Sequence, residues 1–141
     1  MAGSLSDYLE NKILDDITKV AAYTKPTTLY FGLWTSALTD ASHGGTAGEV
    51  SGGSYDRVAV TSSGTNWNTA ASGATDNKTD ISFPTPTANW GTVTYVGVFD
   101  GNAKTSADNL IWWSDLTVSK TINNGDTPVK FTAGDFDVTL S

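Results

Sequence analysis

The residues that could run chemistry are few and poorly placed for it. His43 is the only histidine, in a glycine-rich loop with Asp40 nearby. Those are parts of a Ser-His-Asp relay, in which an imidazole takes a serine proton and a carboxylate orients the ring. No Gly-x-Ser-x-Gly elbow accompanies them. Asp15 and Asp16 are adjacent on a predicted helix, so they project about 100° apart and cannot grip one substrate. Asp135 and Asp137 share one face of a predicted strand. Alternation with Phe136 and Val138 explains that face as solvated, without the paired carboxyls of a glycosidase. Asp100-Gly101-Asn102, Asp76-Asn77 and Asn123 to Asp126 are oxygen-rich loops that could hold a structural calcium. None has EF-hand spacing, and turn formation explains all three. Gly44-Gly45 and Gly52-Gly53 lack a Walker lysine and a following helix. Asn77-Lys-Thr79 fits a glycosylation sequon, but no secretion signal goes with it. The sequence predicts no catalytic residue and no cofactor, with loop calcium as the single metal possibility.

The aromatics are more telling. Five tryptophans stand in 141 residues. Trp34, Trp112 and Trp113 lie in predicted strands, Trp67 and Trp90 in or beside loops. Neighbours in a strand point to opposite faces, so Trp112 and Trp113 put a large ring on both sides of one sheet. Two readings compete. Stacking on sugar rings would make a carbohydrate-binding host-receptor adhesin. Burial against other subunits would make an assembly protein, because aromatics anchor interfaces.

Composition narrows the choice. Charged residues are 16%, against roughly 25% in ordinary globular chains, with Gly, Ser, Thr and Asn in their place. That mix suits turns and strands and makes poor helix. The net charge of −7 argues against phosphate neutralisation and hence nucleic-acid binding, and against an anionic membrane surface. With no cysteine, neither a disulfide framework nor a thiolate metal site is possible. No apolar run approaches a membrane span. The start, Met1-Ala-Gly-Ser-Leu-Ser-Asp7, lacks a basic segment leading into an apolar one, which predicts synthesis as a soluble cytoplasmic chain.

These residues must be positioned by one helix and many strands. Leu5, Leu9, Ile13 and Ile17 repeat at four, with Val20 continuing the stripe and Tyr8 and Leu14 widening it. The spacing predicts a helix over 4–22, capped by Ser4 or Ser6 and closed by Lys25-Pro26. Beyond Pro26 the period becomes two. Leu29 to Trp34, Tyr55 to Val60, Asp80 to Phe83, Gly91 to Phe99, Leu110 to Trp113, Pro128 to Phe131 and Asp135 to Leu140 read as strands. In the longest, Val93, Tyr95, Gly97 and Phe99 alternate with Thr94, Val96 and Val98. Length predicts a single domain over 1–141. The expected fold is mainly β: an antiparallel β-sandwich of seven or eight strands, jelly-roll or Ig-like, over 27–141, preceded by one N-terminal amphipathic helix.

Several ordered segments carry a resemblance: Leu5-Ser-Asp-Tyr-Leu-Glu-Asn-Lys12, Tyr23-Thr-Lys-Pro-Thr-Thr-Leu-Tyr30, Glu49-Val-Ser-Gly-Gly-Ser-Tyr55 and Ile81-Ser-Phe-Pro84. Trp90-Gly-Thr-Val-Thr94, Gly97-Val-Phe-Asp100, Leu116-Thr-Val-Ser-Lys-Thr121 and Ala133-Gly-Asp135 continue it. In their order, the chain resembles a family of small bacteriophage virion proteins described as tail-fibre-like, typified by mycobacteriophage tail-fibre proteins. The resemblance implies a non-enzymatic structural protein of the virion and supplies no catalytic residues. No heptad run for a stalk is present, which favours a capsid decoration or cement protein, with tail or fibre attachment next. The expected partners are copies of itself, as a trimer, and the major capsid protein or tail proteins. The expected interface residues are Leu9, Ile13, Ile17, Trp67, Trp90, Trp112 and Trp113.

Overall fold

The structure, a computed structural model, describes residues 2–140. In chain order its elements are β1 (Ala2–Leu5), α1 (Asp7–Ile17), β2 (Thr28–Trp34), β3 (Val58–Thr61), β4 (Ala74–Asp76), β5 (Ile81–Ser82), β6 (Gly91–Phe99), β7 (Leu110–Ile122), β8 (Lys130–Phe131) and β9 (Asp137–Thr139). The mainly β class and the short helix near the N-terminus are as expected. The structure does not confirm the jelly-roll or Ig-like form of the sandwich. Seven strands make one curled sheet in the order β3-β2-β6-β7-β1-β9-β4, and β5 pairs with β8 as a separate ribbon.

The reason lies in β1, a segment the helical stripe had absorbed. It pairs antiparallel with β7 through Ser4–Trp113 and Leu5–Trp112, and parallel with β9 through Ala2–Asp137 and Gly3–Val138. One strand thereby joins what would have been two sheets. Gly3 suits this seat, since a Cβ there would lie 2.9 Å from the Trp113 carbonyl oxygen. Helix α1 starts only after Ser6, whose Oγ accepts from the Leu9 N–H at 3.2 Å. Ser6 also ties the helix to β7: its N–H donates to the Ile111 carbonyl at 3.1 Å and its hydroxyl to the Leu110 carbonyl.

The helix ends at Ile17, well short of Pro26. The Thr18 hydroxyl returns to the Leu14 carbonyl at 2.8 Å, and Lys19 adopts a left-handed φ of 60°. Both stop propagation. The stripe that predicted helix to residue 22 meets no body to pack on, and a short helix is not sustained by propensity alone.

The central strands β2, β6 and β7 bury both faces. On one side Phe31, Leu33, Val96, Val98 and Ile111 join Leu9, Phe83, Phe131, Phe136 and Val138 in the main core. On the other, Trp34, Phe99, Leu38 and Leu110 form a second core with Tyr95 and Trp113 packed against it. Val93 sits with Val96 and Val98, not with Tyr95 and Phe99 as strict alternation requires. A register shift between Val93 and Tyr95 moves it to the other face. In the second core Gly32 and Gly97 pair across β2 and β6. A Cβ on Gly32 would lie 2.7 Å from the Trp34 ring, and one on Gly97 2.7 Å from the Phe99 ring. The two bare positions leave the slot in which these rings stack, 5.1 Å apart.

The edge strand β4 is not left open. It pairs with β9 on one side, while Asn68 donates to the Asp76 carbonyl and Lys78 to the Asn66 carbonyl on the other. A loop over 66–71 thus covers an edge that would otherwise template aggregation.

Candidate docking surface

Helix α1 lies across the start of β7, and its apolar stripe leaves the body as it proceeds. Leu9 is 5% exposed and part of the main core, Ile13 is half-buried, and Ile17 is 71% exposed. Leu14 and Val20 stand out beside it at 60% and 76%. Two apolar clefts flank Leu9. One, of about 190 Å³, lies among Leu5, Ile13, Ala70, Ala74, Trp112 and Leu140. The other, of about 180 Å³, lies among Tyr23, Pro26, Leu29, Ile111 and Trp112. Burial, then the charges of Tyr8 and Asp100, push the Tyr23 phenol up to about 12, so it stays neutral at physiological pH. The helix carries Asp7, Glu10, Asp15 and Asp16 together with Lys12, and Lys19 follows just past its end. An exposed apolar ridge beside two apolar clefts, one of them edged by Lys25, is a surface of the kind that partners cover.

The predicted interface residues divide. Ile13 and Ile17 lie on this surface, and Trp112 walls both clefts. Leu9 and Trp90 are spent within their own chain: Trp90 packs edge-on to Tyr55 at 5.3 Å and donates to the Gly53 carbonyl at 3.0 Å. Trp67 stacks on Phe31 at 6.2 Å and meets Trp112 edge-on at 5.7 Å. The ring Nε1 atoms of Trp67 and Trp112 are buried without an acceptor among the described residues. Trp113 faces the opposite side, as alternation requires, next to Tyr95, and its Nε1 donates to Asp40 at 2.8 Å.

The candidate catalytic and metal groups are not assembled. Asp40 is engaged by Trp113, and the His43 Nδ1 accepts from the Gly45 N–H at 3.0 Å. The loop carboxylates serve turns: Asp100 accepts twice from Asn109, Asp126 from the Asn123 N–H, and Asp76 from Asn68. Among the described residues no group of three potential ligands gathers. Asn77 of the sequon is buried. It donates to the Thr79 and Thr132 carbonyls and accepts from Phe136, so it staples β9 to the body.

The strongest electrostatic feature went unread in the sequence. Arg57, the only arginine among eight basic residues, is buried at the second core. Its guanidinium lies 4.2 Å over the Phe99 ring. Nε and one terminal nitrogen grip both oxygens of Glu49 at 2.8 Å. The others reach Asp108 at 2.8 Å and the carbonyls of Gly101 and Gly44 at 2.9 and 3.0 Å. All five N–H donors are used. Burial opposes the charge on Arg57, but its bonds to Glu49 and the charges of Glu49 and Asp108 outweigh that, and its pKa rises. Tyr55, pushed up by burial and then by Glu49, donates to Glu49 at 2.9 Å and accepts from the Leu33 N–H. With every donor taken and no exposed face, the cluster clamps the loops carrying Gly44, Glu49, Gly101 and Asp108. A lone arginine amid lysines was its only trace in the sequence.

A family model described as podophage GP4 fiber I protein gp80 matches residues 4–139. Comparison with curated proteins finds no match.

Proposed function

The chain belongs to the podophage GP4 fiber I protein gp80 family, and from that premise we propose that it is a non-enzymatic structural component of the virion that docks through the exposed end of α1. The family's fibre character favours a tail or fibre position over capsid decoration. The partners of this reading are tail proteins and further copies of the chain. The net charge of −7 disfavours nucleic acid and an anionic membrane surface as partners, and among the described residues no helix is long and apolar enough to cross a membrane. The adhesin alternative loses its best residue, because Trp67 spends its ring on Phe31 and Trp112.

The observation that carries the proposal is Ile17, 71% exposed at the end of a stripe whose first member is core. Covering such a side chain gains about 1.5–3 kcal/mol, multiplied where copies repeat. The test is particle incorporation. Phage lacking the protein is complemented with wild type or Ile17→Asp, and the protein bound per purified particle is quantified. The variant should fold normally and be lost from particles. Wild-type incorporation of Ile17→Asp would refute the docking role.

A further inference from the structure

The turn that leaves β7 holds reactive groups that the docking surface does not use. Asn123 to Asp126 is a four-residue turn. The Asp126 N–H donates to the Asn123 carbonyl at 3.2 Å, and the Asn123 N–H to the Asp126 carboxylate at 2.8 Å. Gly125 takes a left-handed φ of 80° at the third position, where glycine is favoured. An asparagine therefore stands directly before a glycine. The backbone nitrogen of Gly125 is one ring closure away from the Asn124 side chain, with no Cβ on its own residue to hinder it.

Asn124 is exposed, and its carboxamide has no hydrogen bond among the described residues. The comparable aspartate, Asp100 before Gly101, is not free in this way, since Asn109 occupies both its oxygens. At Asn124 the electrophile is loose while the nucleophile is held. The Gly125 N–H donates to the Pro86 carbonyl at 2.8 Å, and the Asn124 N–H to Asn89 Oδ1 at 2.9 Å. The first bond engages the proton that must leave before the nitrogen can attack, and it fixes the peptide plane. The second pins the backbone on the other side of Asn124. Both ties run to the segment ahead of β6, which is itself anchored where the Trp90 N–H meets the Ile122 carbonyl at 2.9 Å.

We infer that Asn124 is a site of spontaneous covalent modification to aspartate or isoaspartate, and that the ties to Pro86 and Asn89 guard it. The Gly125 nitrogen bonds to Cγ of Asn124, and the carboxamide C–N bond breaks. The amide proton of Gly125 leaves with that nitrogen as ammonia. Water then opens the cyclic imide at either carbonyl, and nothing is oxidised or reduced. Either product adds a negative charge to a chain already at −7. Isoaspartate also inserts a methylene into the backbone, so the turn can no longer present both N–H groups to Pro86 and Asn89.

The test keeps the full chain at mildly alkaline pH, either folded or in urea. The tryptic peptide Thr121–Lys130 is followed by mass spectrometry, with fragmentation to separate Asn124 from Asn123. Folded wild type should convert at Asn124 roughly tenfold more slowly than the unfolded chain, because the turn must first open locally. Asn89→Ala, at an exposed position, should raise the folded rate severalfold and leave the unfolded rate unchanged. Asn89→Asp keeps an acceptor oxygen and should stay near the wild-type rate. Circular dichroism checks that the variants fold, and the wild-type comparison decides alone if Asn89→Ala does not. No conversion at Asn124 in urea, equal rates folded and unfolded, or a folded rate unmoved by Asn89→Ala would overturn the inference.

Discussion

Arg57 carries more of this molecule's electrostatics than any other side chain. Its removal would strand Glu49 and Asp108, both largely buried. Arg57→Ala should therefore cost roughly 3–5 kcal/mol in urea unfolding, because uncompensated buried charge is expensive. Arg57→Lys should recover only part of that, since an ammonium cannot span Glu49 bidentately. A loss under about 1 kcal/mol would show the clamp to be incidental. Gly97→Ala should cost about 1–3 kcal/mol by overpacking the Phe99 and Leu38 contacts.

The exposed carboxylates set a pH limit. Asp80 is held below its ordinary 3.8 by hydrogen bonds first from Lys130 and then from the Ala133 N–H, and Asp135 by those from Thr132. A carboxyl whose folded pKa is depressed adds stability above its unfolded value, and that stability is lost as pH falls through the folded one. Tm should hold from neutral pH down to the ordinary carboxylate pKa and decline below it, and Asp80→Asn should soften the decline. An unchanged acid limb in that variant would remove Asp80 from the account. At this scale the sequence was legible for turns, where Asp and Asn at tight spacings do what their short acceptors allow. It was opaque for Arg57, whose partners are 8 and 51 positions away and share no local pattern.

At the scale of elements, the helix is held at one end and free at the other. Ser6 is the fastening point, both N-cap and bond to β7. Ser6→Ala should cost about 1 kcal/mol for the cap, and more if the orphaned Leu110 carbonyl finds no water. Ile17→Asp, at an exposed site, should change stability by less than about 0.5 kcal/mol. Thermal melts of the two variants separate these roles. Strand β6 was readable in full, Gly91 to Phe99, because both its ends carry turn chemistry and its apolar content is high. Strand β7 was read only as Leu110 to Trp113, whereas it runs to Ile122. Its last residues, Lys120 to Ile122, are strand because β6 pairs with them, a fact with no local signature. The same holds for Ala2–Leu5, whose leucine falls in helical register but whose backbone is claimed by β7 and β9.

At the scale of the whole molecule, the strand list was close while the arrangement was not. Alternation tells which residues face inward, not whether two layers are separate or joined, and here four residues of β1 make one curled sheet of what would be a sandwich. The excess of indoles was read as unsatisfied surface. Instead they thicken two cores in one small protein, and the large exposed apolar side chains are aliphatic: Leu14 and Ile17 on α1, Val20 just past it, Val118 on β7 and Leu140. The proposed assembly role therefore rests on different residues from most of those that suggested it, with Ile13 and Ile17 at the helix surface and Leu9 and Trp112 lining the clefts.

A reconstruction of the intact particle tests that role most directly. The account predicts density for this fold at a fibre or tail position, with Leu14, Ile17 and Val20 covered by a neighbouring chain. Absence of the protein from the particle, or its presence with the end of α1 facing open solvent in every copy, would contradict it.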